Sequence, residues 1–219
     1  MRIQWGSLPE VPEPQPVGAA WQPIHGPSQR WGYVLAVLTG LLLTFVLLTG
    51  IILFALSATP GPEPVAALPT PSPWVIVLLT MVLSVPAHEL LHLVWHPRFG
   101  LSSGSVIVVW LRRLRFGVYY EGEMSRTRWL LMRITPFVVL SLLPTLLFIL
   151  FPNAAWGFRL ETSLAILLLV NGLGSGGDVV AMLVVLFQIP AAARLGFFRG
   201  RAYWQPAQAR TGSTQKDRP

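Results

Sequence analysis

The chain has 219 residues, 53% of them hydrophobic and only 11% charged, with a mean hydropathy of +0.59. A soluble domain carries about a quarter charged residues, so a single water-facing core is excluded and lipid is the expected solvent. Cysteine is absent, which rules out disulfides, thiolate metal sites and a cysteine nucleophile. The formal net charge is +7, but the basic residues gather between apolar runs without interleaved stacking aromatics, so nucleic acid is not an expected partner.

Residues 1–30 contain six prolines and no apolar period, and read as a flexible arm. No cleavable signal peptide is expected, because the first long apolar run begins only near Trp31. Four runs then reach the roughly 20 apolar residues that a bilayer demands. They predict helices over 31–56, 74–95, 129–151 and 162–189, together a membrane domain of residues 31–189. Trp31, Trp74, Trp95, Trp129 and Phe151 stand at run ends, where amphipathic rings favour the interface.

Lys and Arg counts set the orientation. The arm has Arg2 and Arg30, the first loop has none, and the second has Arg98, Arg112, Arg113, Arg115, Arg126 and Arg128. The third connection has Arg159 alone, and residues 190–219 form a tail with Arg194, Arg199, Arg201, Arg210, Lys216 and Arg218. This alternation predicts cytosolic termini in a multi-pass protein of the cell membrane.

Within the basic loop, Ser105 to Leu111 and Phe116 to Tyr120 are rich in Val, Ile, Trp and Tyr around a basic bend, which predicts a small β-hairpin. Anionic lipid at the cytosolic face, or the strand of a substrate, would be its partner. The expected fold class is thus an all-α membrane protein of four transmembrane helices, with a hairpin-like cytosolic loop between helices 2 and 3.

The second run contains His88-Glu89-Leu90-Leu91-His92, a match to H-E-x-x-H. On a helix, positions four apart share a face, so both imidazoles can reach one ion, here Zn2+. Glu89 is offset by one residue and placed to take a proton from water at that ion. Three ionisable groups within five residues of a membrane helix are costly, which favours a function over simple helix packing. Two His leave a catalytic zinc site one protein ligand short. Asp178 is the best third ligand, being the one other acidic residue inside a membrane run. Counted from the starts of their runs, His88 and Asp178 lie at matching depths of roughly 21 to 24 Å. A pairing of Asp178 with Arg133 or Arg194 is the competing reading.

Four glycines in the segment Asn171 to Asp178 allow close helix approach or a helix break, expected to bring Asp178 against the metal-bearing helix. Asn171 would hydrogen-bond a substrate backbone or a metal-binding side chain, or else tie helices together. His96, followed by Pro97, is expected at the interface and outside the ligand set, since a straight helix puts it about 12 Å from His88. His25 is expected to be incidental.

The order of these features resembles the site-2 protease clan of intramembrane zinc metalloproteases. It resembles more closely the putative zincin peptidases, a family of integral membrane proteins whose similar H-E-L-x-H and later Gly-Asp pair correspond to His88, Glu89, His92, Gly177 and Asp178. The resemblance covers roughly residues 74 to 190. The chain departs from the site-2 pattern in having glycines where that clan has proline, and Val179 after Asp178. The resemblance implies a metalloendopeptidase that cuts membrane-spanning or juxtamembrane segments of proteins or peptides. The alternatives are a non-catalytic membrane protein that binds zinc or a partner, and a small transporter.

Overall fold

A computed structural model describes residues 1–6, 21–57, 72–110, 112, 115–151, 158–198 and 201–206. Most of the described chain is helical. Helix α1 spans Gln29–Ser57, α2 spans Pro73–Leu93, α3 spans Arg126–Phe137, α4 spans Leu143–Leu150 and α5 spans Phe158–Gln188. A π turn at Val138–Leu142, where the Leu143 N–H reaches back to the Val138 carbonyl, joins α3 to α4. Taking α3 to α4 as one span, four helices among the described residues are long and apolar enough to cross a membrane. They stand close to the four expected runs, each extended or trimmed by a few residues.

Among the described residues, seven short strands gather at one end of the bundle. The predicted hairpin is present as β3 (Ser105–Trp110) and β4 (Arg115–Tyr120), antiparallel with Ile107 opposite Val118. The arm is not flexible throughout. Its first strand, β1 (Arg2–Trp5), runs parallel to β3 on the side opposite β4. Its second, β2 (Gln22–Pro23), pairs with β7 (Arg201–Gln205). The tail likewise forms a hairpin of β6 (Arg194–Phe198) and β7, with β5 (Glu123–Ser125) along the other edge of β6. Prolines 9, 12, 14 and 16, which prompted the flexible reading, lie outside the described residues. The strands flanking them need only an open sheet edge to pair with.

Arm, loop and tail are therefore hydrogen-bonded to one another on one side of the helices. Met124, Trp129, Met132, Val185, Ile189, Ala193 and Leu195 form a buried core that fixes the second sheet onto the ends of α3 and α5. Elsewhere the helices expose their apolar side chains, as spans facing hydrocarbon do. In α1 only Gly40 and Thr44 are buried.

Candidate metal centre

His88 and His92 lie one turn apart on α2, with ring centroids 5.2 Å apart and planes at 85°. Their Nε2 atoms converge on one carboxylate oxygen of α5. Asp178 Oδ2 is 3.1 Å from His88 Nε2 and 3.4 Å from His92 Nε2. All three side chains are buried, and one ligand atom from each lies within 4.8 Å of the others. The helices thus bring together the triad expected from motif and depth.

The opposite ring nitrogens are already committed. His92 Nδ1 lies 2.8 Å from the Met132 carbonyl, which can only accept, so Nδ1 carries the proton and Nε2 a lone pair. Asn171 Nδ2 donates to the Pro136 carbonyl at 3.2 Å and to Ser141 Oγ at 2.7 Å. That turns Asn171 Oδ1 toward His88 Nδ1, 2.8 Å away, and fixes the same tautomer. Asn171, given two alternatives by the sequence, both contacts His88 Nδ1 and ties α5 to α3.

The donor set is a test of what the site holds. Two imidazole lone pairs and a carboxylate oxygen face each other in a buried space. Lone pairs alone repel, and two imidazolium rings beside Arg133 would place three positive charges against one carboxylate. A single divalent cation answers all three donors, and two His with one carboxylate is a ligand set that zinc accepts. The residues fit the ion. Replacing Asn171 with Leu removes the acceptor from His88 Nδ1, and zinc affinity is expected to fall about 10–100-fold, measurable by competition with a chelating dye.

The competing pairing of Asp178 is also present, and the two readings are compatible. Arg133 Nη1 bonds Asp178 Oδ1 at 2.7 Å, leaving Oδ2 to the histidines. The guanidinium thus engages one carboxylate oxygen and offsets part of the cost of burying the charge. Arg194, the other suggested partner, instead approaches Glu123 at 3.4 Å.

Glu89 is half-buried on the neighbouring face of α2, where its Oε2 accepts the Val118 N–H at 3.0 Å. Val118 lies on β4, which among the described residues pairs with β3 on one side only. The open edge of the hairpin therefore faces the Glu89 side of the site.

The glycines act differently from expectation. Gly172 and Gly176 press on α1: a Cβ on Gly176 would stand 2.0 Å from the Ala36 carbonyl oxygen, and one on Gly172 would stand 2.2 Å from Thr44 Oγ. Of the four, only Gly174 faces α2, where an added Cβ would stand 3.5 Å from His88 Cε1. Close approach is to α1, and α5 continues unbroken through this segment.

His96 follows the end of α2 and is 1% exposed, under the hairpin, with Nδ1 3.1 Å from Ser105 Oγ and its ring 5.2 Å from that of Tyr120. Burial, reinforced by the charges of Arg128 and Arg133, lowers its pKa to about 4, so it is neutral near pH 7. It stays outside the ligand set. His25 contributes its backbone carbonyl to Gln188. Met132, Pro136, Ser141 and Val118 escaped the sequence reading. Of these only Pro136, a proline inside an apolar run, carried a visible signal.

No curated protein and no solved structure matches the chain. The profile of a family described as "Putative zincin peptidase" matches residues 81–194, a stretch that contains the H-E-x-x-H segment, Arg133, Asn171 and Asp178. With just over half of its length matched and the ligand triad assembled inside that stretch, the chain belongs to the putative zincin peptidase family.

Proposed function

We propose that the protein is a zinc metalloendopeptidase of site-2 protease-like design, cutting membrane-spanning or juxtamembrane peptide segments near the cytosolic face of the cell membrane. The observation that carries this reading is the convergence of His88 Nε2, His92 Nε2 and Asp178 Oδ2 inside a helical bundle fit to span a bilayer. The basic loop and tail support the cytosolic assignment of the sheet-bearing end.

Bound by those three atoms, zinc supplies the Lewis acid that polarises a peptide carbonyl and makes water acidic enough to attack near neutral pH. The remaining work belongs to the chain. Glu89 takes a proton from the attacking water at its carboxylate and returns it to the leaving amine. Arg133 and Asn171 hold Asp178 and His88 in place through the reaction. The open edge of β4 offers backbone groups to an extended peptide, a pairing that unwinds the cut segment locally. The packed helices exclude lipid from the ligands, and the sheet-bearing end is the shorter route for water. Exposed Phe99 and Leu101 beside Arg98 suit contact with an anionic lipid surface.

One observation favours a non-catalytic zinc protein as the second reading. The Glu89 carboxylate is tied to a strand backbone, a contact that could be structural alone.

The first test is metal content of the detergent-purified protein by plasma mass spectrometry. About one zinc per chain is expected, lost in His92→Ala. A wild-type protein that takes up no zinc even after reconstitution would remove both readings.

A further inference from the structure

The carbonyl that fixes His92 belongs to a helix residue, and helix carbonyls are ordinarily engaged by the N–H four residues on. For Met132 that residue is Pro136, which lies inside α3 and is fully buried. Proline has no N–H, and its ring crowds the carbonyl four residues back. Met132 O is thus released from the ladder at the level of the metal centre, where it lies 2.8 Å from His92 Nδ1. Two residues beyond Pro136 the helix opens into the π turn. The Pro136 carbonyl itself accepts from Asn171 Nδ2, the amide that orients His88. One break in α3 serves both histidines.

We infer that Pro136 is a positioning residue of the metal centre: by withholding an N–H from Met132 O, it leaves that carbonyl to His92 Nδ1–H and keeps His92 Nε2 aimed at Asp178. The inference rests on the reading of His88, His92 and Asp178 as metal ligands, but its structural half can be tested without metal.

The experiment compares wild type with Pro136→Ala and Pro136→Gly, both of which restore the N–H while differing in helix propensity. Pro144→Ala is the control. Pro144 sits in the same apolar run at the start of α4, and its substitution restores an N–H away from Met132. Nitrogen-15 spectra of histidine-labelled, metal-free protein report the His92 tautomer. Zinc affinity is read by chelator competition.

In wild type His92 is expected to keep a proton on Nδ1, held by Met132 O, whichever state Nε2 takes beside Asp178 without metal. In both Pro136 variants a second tautomer should appear, with zinc affinity down at least about tenfold, the scale found for partners of metal ligands. Pro144→Ala should match wild type in both readouts. Pro136 variants that keep a single Nδ1-protonated His92 and wild-type affinity would overturn the inference. So would a Pro144 variant that weakens zinc equally, since any helix repair would then suffice. If the wild type binds no zinc, the ligand reading fails, while the tautomer comparison still decides the role of Pro136.

Discussion

Glu89→Gln should retain zinc at the wild-type level and lose peptide hydrolysis by about 10²–10⁴-fold, the range contributed by a positioned proton-transfer group. The amide matches the carboxylate in size, and its Oε1 can still accept the Val118 N–H that Oε2 accepts now. The hairpin should therefore keep its place, and none of the three ligand atoms is altered. What disappears is the capacity to take up a proton. The measurement pairs metal content with mass-spectrometric detection of new peptide termini, using transmembrane peptides reconstituted with the enzyme in liposomes. Asp178→Asn serves as the complement. It changes a ligand and leaves Arg133 without its charged partner, so metal and hydrolysis should fall together. Hydrolysis that persists in Glu89→Gln while depending on His92 would transfer proton movement to another group. Zinc bound with no hydrolysis in any form would favour the non-catalytic reading, with Glu89 as a strand anchor.

The parts of this site legible in the sequence are those where side-chain chemistry conflicts with its surroundings. His88, Glu89, His92 and Asp178 stand out because ionisable groups in apolar runs are costly, and helical rise alone places the first and last at one depth. The hairpin was legible from composition, since stretches rich in β-branched and aromatic residues flank a basic bend. Backbone groups carry no such mark. The carbonyls of Met132 and Pro136 and the N–H of Val118 orient or engage site residues, yet any residue type has a carbonyl. Which ones are free depends on breaks in a helix and on open strand edges. For His96 the argument from Pro97 gave where α2 stops, but not that the hairpin folds back over the following residue. β1 and β2 were missed because four and two residues are too short for an alternation to register. Their pairing is set by edges that only the assembled sheets present. The glycine segment was recognised as a close-approach surface but assigned to the wrong neighbour. Periodicity identifies a face; it does not name the helix opposite.

That reassignment leads to the second large effect. Gly176→Ala should destabilise the bundle by about 1–3 kcal/mol, the usual cost of overpacking, whereas Gly174→Ala should be close to neutral. The added Cβ at 176 would meet Ala36 O at 2.0 Å, Gly40 N at 2.7 Å and Ala36 C at 3.0 Å, all backbone atoms of α1. No rotamer change relieves such a clash, so α1 and α5 must separate. Separation stretches the bond from Thr44 Oγ1 to the Leu168 carbonyl, now 3.2 Å, and loosens the contact between Gly40 and Gly172. Between membrane helices, close packing of small residues supplies much of the attraction, because lipid solvates larger apolar side chains equally well. At 174 the new methyl meets His88 Cε1 at 3.5 Å, an ordinary contact. The two variants add the same atom to the same helix only two residues apart, so helix propensity cancels from the comparison. Denaturant unfolding in mixed micelles measures the difference. Asp178 lies two residues beyond Gly176, so the displaced α5 should also weaken zinc binding, coupling bundle assembly to the metal centre. Equal stability of the two variants would mean that α1 is not clamped to α5 at Ala36, and the first helix would then be an attachment to the metal-binding core instead of its support.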